Sequence, residues 1–389
     1  MTLPEVVLHA DAAAHGGTCV GRVDGRVVFC RLCLPGETVR ARVDDDAPDA
    51  RFWRAEALAV EAGASPDRVA AACPWFGPGL CGGCAWLHAD RTAQLQIKEQ
   101  VLAQTLQRIG GVTWEPRVRD LGLATGWRTR LTLHSDAGGR AGFHAARTHE
   151  VVPIGDCLQA DARLQLPELL ARQWPPHAEI HVSVSASGRA TVVTTADGRT
   201  AEGPTEHVHV VGGRRFACAA DGFWQSHRLG AQALVDTVAA LVADVSGGTV
   251  VDLYAGVGLF GLSLRQRWSS VLLVEGDRRA AAFARANAGA DPAVRVVARD
   301  VRRWARRPEP ADVVVLDPPR AGAGRAVVSG VAGTAARAVV YVSCEPSTLA
   351  RDLAWFREVG YEPDHIEGFD LFPGTAHVET VVRLQPTGR

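Results

Sequence analysis

The sequence predicts an α/β protein: a C-terminal doubly wound, mostly parallel sheet, preceded by a small all-β domain and a small cysteine-bearing central domain. Three observations predict it. From about residue 205, short apolar runs alternate with helical segments, the pattern of a parallel sheet covered by helices. Residues 5 to 62 instead carry five short strand-like runs separated by Gly, Pro and Asp signals. Between these regions, "CPWFGPGLCGGC" places three of the chain's nine cysteines within residues 73–84.

The composition sets bounds on this organisation. A chain of 389 residues suggests two or three domains, and 47% hydrophobic with 22% charged residues is ordinary for a soluble globular protein. No apolar run is long enough to span a bilayer, and "MTLPEVVLHADAAAH" lacks the basic and apolar regions of a signal peptide. A cytoplasmic protein without membrane contact is therefore expected. Disulfides are then disfavoured, and clustered cysteines point to metal or catalysis. The net charge of −1 does not exclude nucleic acid, because a local basic patch is enough. The basic residues are almost all arginine, which suits phosphate contacts; Lys98 is the one lysine.

Taken in order, "VVLHADAAA", "TCVGRVD", "RVVFCRLCLP", "ETVRARVDD" and "RFWRAEALAVE" fit a Greek-key barrel of OB type over residues 1–62. Such barrels often bind RNA and are as often only structural. Cys19, Cys30 and Cys33 lie on these strands and read as core residues. The central region, 63–204, contains the cysteine cluster and a helix over 90–110, with Leu95, Leu102 and Leu106 near helical spacing and a Gly-Gly stop. That helix is expected to pack on the C-terminal domain. Residues 127 to 200 are strand-rich and carry Cys157. The remaining domain, 205–389, alternates strand and helix through "TVVDLYAGVGLFGLSL", "SVLLVEGD", "DVVVLDPPR" and "RAVVYVSC".

Several of these segments carry chemistry. "DLYAGVGLFG" runs from a strand into a helix, so Tyr254, Gly256 and Gly258 lie in a turn where glycines let a ligand approach the backbone. A glycine turn alone fits a nicotinamide cofactor equally well. Glu275, ending the next strand, is placed for ribose hydroxyls, and "LDPPR" is not a dehydrogenase feature. Asp317 ends a strand where ligands bind in such sheets. Asp300, after the third strand, either approaches an adenine or is an exposed strand-end acid. The glycine turn, Glu275 and "LDPPR" together resemble class I S-adenosyl-L-methionine-dependent methyltransferases, which implies a Rossmann-like fold. Cys344 ends a strand just before a helix, whose free N–H groups and dipole would lower a thiol's pKa and favour a nucleophile. The alternative is a buried strand cysteine.

With "YVSCEPSTLARDL" and "HVETVVRL" added, the chain resembles the RNA 5-methyluridine methyltransferase family over nearly its whole length, in its iron–sulfur type with an N-terminal TRAM-like barrel. The resemblance implies that Cys344 is the nucleophile and Glu379 the general base. It implies that Gln225, in "GFWQSH", joins Tyr254, Gly256, Gly258, Glu275, Asp300 and Asp317 around cofactor or substrate. It implies a [4Fe–4S] cluster on Cys73, Cys81, Cys84 and Cys157, although zinc could use the same thiols. His377 reads as structural. Leu259 stands where some relatives have asparagine, "GFWQSH" departs from the commoner Phe-Phe-Gln, and the gap from Cys73 to Cys81 is longer than usual. The expected partner is a structured RNA, ribosomal ahead of transfer RNA, with the target base flipped out of its stack. A monomer is expected. The rival readings are an RNA cytosine-C5 methyltransferase, and an iron–sulfur RNA-binding protein without catalysis.

Overall fold

The computed structural model describes residues 4–45, 50–245 and 247–388, so the first three residues of the opening segment lie outside it. The N-terminal region forms one six-stranded sheet. Its strands are β1 (Glu5–His9), β2 (Ala12–Ala14), β3 (Thr18–Val23), β4 (Arg26–Arg31), β5 (Thr38–Asp45) and β6 (Phe52–Ala62), in the order β1-β5-β6-β4-β3-β2. The first of the five expected strands is broken into two. Ala10 N–H turns to the Glu37 carbonyl and Asp11 N–H to the Val20 carbonyl, each at 2.8 Å. The sheet curls so that β1 approaches β3 at Gly21, where a Cβ would lie 2.1 Å from the His9 carbonyl oxygen. Among the described residues the hydrogen-bonded ladder of this curled sheet runs from β1 to β2, with no rungs between these two edge strands. Cys19, Cys30 and Cys33 are fully buried in its core beside Leu8, Val28 and Val39.

Helix α1 (Arg91–Gly110) starts where Asp90 accepts the Ala93 N–H and ends at Gly111, in the left-handed conformation. Its apolar stripe serves two cores. Ala93, Ile97 and Val101 pack into the N-terminal core, while Leu102 and Leu106 pack into the core of the C-terminal sheet. Lys98 on the same helix is 2% exposed. Its Nζ donates to Asp370 at 2.6 Å and to the Phe372 carbonyl at 3.0 Å, and Arg91 pairs with the same Asp370. After β7 (Val118–Asp120), the central region builds β8 (Arg130–Ser135), β9 (Ala141–His144), β10 (Val151–Pro153), α2 (Leu166–Leu170), β11 (Glu179–Ser185), β12 (Gly188–Thr195) and β13 (Gly198–Glu202). These strands form an antiparallel sheet in the order β10-β9-β8-β11-β12-β13. A separate hairpin, β14 (Glu206–Val211) and β15 (Arg214–Ala219), leads into the last region.

That region contains α3 (Gly230–Leu241), β16 (Thr249–Leu253), α4 (Leu259–Leu264), β17 (Ser270–Glu275), α5 (Arg278–Ala288), β18 (Val294–Ala298) and α6 (Val301–Trp304). It continues with β19 (Val313–Leu316), α7 (Arg325–Ala332), β20 (Ala338–Ser343), α8 (Pro346–Glu358), β21 (Tyr361–Asp370) and β22 (Glu379–Pro386). The eight-stranded sheet runs β18-β17-β16-β19-β20-β22-β21-β7. Strands β16 to β20 are parallel, whereas β22 runs antiparallel between β20 and β21. Runs such as "VVVL" in β19 and "AVVYVS" in β20 are buried throughout, as strands covered on both faces require. Chain order reverses at β16, which has β17 on one side and β19 on the other, and such a switch point opens a crevice at the strands' carboxyl ends. Helix α1 lies against α8 so closely that a Cβ on Gly110 would sit 2.7 Å from the Ala350 carbonyl oxygen. No described helix is long and apolar enough to cross a membrane.

The Lys98 clamp is testable. Lys98→Ala leaves Asp370 buried with only Arg91 beside it. The urea midpoint should fall by the equivalent of about 3 kcal/mol at unchanged denaturant slope. An unchanged midpoint would show that the buried pair does not hold α1 to the sheet.

Candidate active site

The carboxyl ends of β16, β17, β19 and β20 and the amino end of β22 converge on one cavity of about 760 Å³. Gln225, Tyr254, Gly256, Glu275, Asp317, Cys344 and Glu379 all line it. The turn after β16 carries Tyr254, Gly256 and Gly258 at positive φ of 60°, 55° and 92°. Gly258 does not face the cavity; a Cβ there would lie 2.7 Å from the Leu262 side chain, so this glycine permits the tight start of α4. Glu275 ties the turn to the next strand: one oxygen accepts the Gly256 N–H and the other the Asp277 N–H, both at 2.7 Å. Each oxygen keeps a lone pair for a ligand. Asp300 is exposed and lies outside the cavity lining; it caps α6 by accepting the Arg303 N–H at 3.1 Å.

Asp317, Cys344 and Glu379 form the ionisable centre. Gln225, 7% exposed, donates from Nε2 to Asp317 at 3.5 Å. It is anchored by Trp224, which stacks on His209 with ring centroids 4.2 Å apart. Burial pushes Asp317 up to about 7. Burial, then the neighbouring Asp317, hold Glu379 well above the usual carboxylate range. The same desolvation, followed by the charges of Glu379 and Asp317, pushes the Cys344 thiol up to about 11, with Arg320 opposing. The lowered pKa expected from the helix start is therefore reversed. The donors at the start of α8 are already engaged: the Ser347 N–H binds Glu345 Oε1 at 3.3 Å, and the Glu345 N–H binds Ser343 Oγ at 3.2 Å. The resting centre is a neutral thiol beside two carboxyl groups of raised basicity, an arrangement that can add a sulfur to an electrophilic carbon and remove a proton from a neighbouring one.

Other residues of the site were not singled out in the sequence. Arg320 follows the two prolines of "DPPR" and is the one cation whose charge opposes the rise at Cys344. His15, from the N-terminal sheet, reaches Glu345 Oε1 at 3.3 Å and so brings that sheet beside Cys344. Phe223 stands 72% exposed at the cavity, and its place next to Gln225 was the only available signal. His377 meets Phe372 edge to face, and burial lowers it to about 4, so it is neutral.

A second cavity, of about 40 Å³, is lined by Cys73, Cys81, Cys84 and Cys157 together with Trp75, Trp127 and Arg128. Burial pushes Cys84 up to about 12 and raises Cys81 and Cys157. Gln159 Nε2 lies 4.0 Å from Cys84 Sγ. Among the described residues, no group of three or more His, Cys, Asp or Glu stands at the spacing of a single metal ion. The cysteine loop is tied to the active site: the N–H groups of Ala85 and Trp86 both donate to the Gly374 carbonyl, at 2.8 and 2.9 Å, just ahead of Glu379.

A family model described as tRNA (uracil-5-)-methyltransferase matches residues 309–387, and one for a methyltransferase small domain matches residues 223–338. An uncharacterized RNA methyltransferase of Streptomyces coelicolor is 37% identical, over 99% of this chain and 93% of its own length. One from Corynebacterium glutamicum is 34% identical, over 95% and 93%. The crystal structure of Pyrococcus abyssi tRNA (uracil-54, C5)-methyltransferase in complex with S-adenosyl-L-homocysteine shares the fold, with a TM-score of 0.71 at 22% identity, over 98% of this chain and 100% of that one.

The electrostatics of the centre predict a reactivity profile. Alkylation of Cys344 by iodoacetamide, followed by peptide mass mapping, should be slow at pH 8 and accelerate as the pH approaches 11. Glu379→Gln removes a negative neighbour, lowers the thiol pKa and should speed alkylation at pH 8 several-fold. An identical profile in the variant would disprove the coupling.

Proposed function

Because the chain belongs to the RNA methyltransferase family of the tRNA (uracil-5-)-methyltransferase type, we propose that it methylates carbon 5 of a uridine in a structured RNA through a covalent cysteine–RNA adduct. The observation that carries this reading is the meeting of Cys344, Asp317 and Glu379 in one cavity with the turn at Tyr254 and Gly256. The cavity fits S-adenosylmethionine: Glu275 has free lone pairs for ribose hydroxyls, and Val257 and Phe283 offer apolar walls. When bound, S-adenosylmethionine supplies an electrophilic methyl group on its sulfonium.

Carbon 5 of uracil is a weak nucleophile. The Cys344 sulfur adds to carbon 6, passing its proton to the Asp317 carboxylate in the same cavity as the C–S bond forms and moving the ring's electron pair toward carbon 5 and the O4 enolate. Carbon 5 then forms its bond to the methyl group as the methyl–sulfonium bond breaks, leaving S-adenosylhomocysteine. Glu379 removes the carbon 5 proton, the 5,6 double bond re-forms, and the C–S bond breaks to release Cys344, which regains its proton from Asp317. Burial suits Glu379 to this role, since a carboxylate of raised pKa is the stronger base. Gln225 orients Asp317 against the ring or the cofactor. Ribosomal RNA stands ahead of transfer RNA in this reading. A cytosine-C5 reaction is disfavoured, because "LDPPR" has no cysteine where such enzymes usually carry theirs.

The four clustered cysteines are assigned a [4Fe–4S] cluster rather than zinc. They share one cavity, backbone N–H groups of Gly83, Gln159 and Ala160 serve the sulfurs of Cys81 and Cys157, and the Arg128 guanidinium faces them. The cluster's role is structural, fixing the loop that bonds to Gly374.

Anaerobically purified protein, methyl-labelled S-adenosylmethionine and separate pools of unmodified ribosomal and transfer RNA test the reaction. Labelled 5-methyluridine in one pool is expected, and 5-methylcytidine would overturn the assignment. Cys344→Ala should lose at least about a thousandfold in turnover while still binding S-adenosylmethionine. Glu379→Gln should accumulate a protein–RNA adduct that survives denaturing electrophoresis. Metal analysis should find about four iron and four sulfide per chain, and stoichiometric zinc instead would refute the cluster.

A further inference from the structure

The segment "ARDVRRWARR" packs an unusual charge density onto the edge of the C-terminal sheet. Val301 and Trp304 of α6 are each 3% exposed and anchor it against the core. Arg299, Arg302, Arg303, Arg306 and Arg307 are all exposed, because the burial of 301, 304 and 305 turns the other positions outward. Among the described residues, none of these five makes an ion pair. Nearby arginines behave differently: Arg295 pairs with Glu309, Arg279 with Asp221 and Arg325 with Glu358. The one acid inside the segment, Asp300, is taken up by the α6 cap. Five unpaired positive charges on a chain of net charge −1 are a local polyanion site, not an overall charge effect.

We propose that the arginines of residues 299–307 form a docking face for the phosphate backbone of the substrate RNA, continuous with the mouth of the active site. α6 follows β18 at the same end of the sheet as the cavity, and the charge of Arg302 reaches Tyr254 in the cavity wall. The flipped base enters at Cys344, and the strand flanking it crosses this face. Guanidinium groups suit that contact, offering paired donors to phosphate oxygens without reading sequence. The proposal rests on RNA as the substrate but not on the uracil-C5 reaction.

Salt-dependent binding tests it on the full chain, with an unmodified transfer RNA transcript and a uridine-rich single-stranded RNA as probes. Each phosphate contact contributes about 0.7 to 0.9 to the slope of log affinity against log salt. The triple variant R303Q/R306Q/R307Q should flatten that slope by about 2 for both probes, weaken binding by about tenfold or more near 0.1 M salt, and leave S-adenosylmethionine affinity unchanged. R303K/R306K/R307K should keep the wild-type slope. A wild-type slope in the glutamine variant would overturn the proposal. So would a loss confined to a polyglutamate probe, which would assign the face to an acidic polypeptide. Because the slope needs no turnover, failure to form 5-methyluridine would leave this result standing, and the reverse also holds.

Discussion

The active site depends on desolvation. Asp317, Cys344 and Glu379, from the ends of β19, β20 and β22, share one cavity, and Arg320 is the cation that opposes the rise at Cys344. In water these groups would carry independent charges. Buried together, they compete for protons, so the carboxyl groups become better bases and the thiol stays protonated until a partner for its sulfur arrives. The same constraint keeps the Cys344 thiol protonated and raises the basicity of Glu379. The antiparallel turn of β22 is what allows it: a parallel strand at that place would present its amino end at the opposite edge of the sheet.

The segment carrying Glu379 is held from two directions. Lys98 on α1 binds the Phe372 carbonyl and Asp370, and the cysteine loop bonds to the Gly374 carbonyl. Both restraints come from residues far away in sequence. They couple the placement of the base to the N-terminal and central regions, and α1, packed into two cores at once, joins those regions to the sheet. The His15–Glu345 contact adds a third link, directly beside the nucleophile. An RNA gripped by the N-terminal sheet would therefore act close to the chemistry.

Much of this was legible in the sequence because the signals are local. Alternation of apolar runs and helices marked the parallel sheet, the glycine turn marked the switch point, and the acids and cysteine at strand ends marked the crevice. The Cys19 and Cys30 core positions followed from their place on apolar strands, whereas Cys33, also expected on a strand, lies just past the end of β4 and is buried with them. Elsewhere local reading misled or stopped. The helix following Cys344 suggested a lowered thiol pKa, but burial, and after it the carboxyl groups of Glu379 and Asp317, outweigh a helix end whose first donors are already bonded. Five strand-like runs were expected at the N-terminus, and the break at Ala10–Asp11 splits the first of them, so the sheet has six strands.

The sequence by itself determined the kinds of groups available: a thiol, a set of strand-end acids, a glycine turn, three clustered cysteines with a distant fourth, and an arginine-rich segment. Strand ends and turn residues are specified within a few positions of the chain, by pleat, helix period and turn chemistry. Only the tertiary structure decided which groups face one another and how dry their surroundings are. Asp300 and Asp317 look alike in sequence, yet one caps a helix in solvent and the other lies beside the nucleophile. The reason is physical: a charge's behaviour is set by its distance to other charges and by the water it has lost, and both depend on strands brought together from distant parts of the chain.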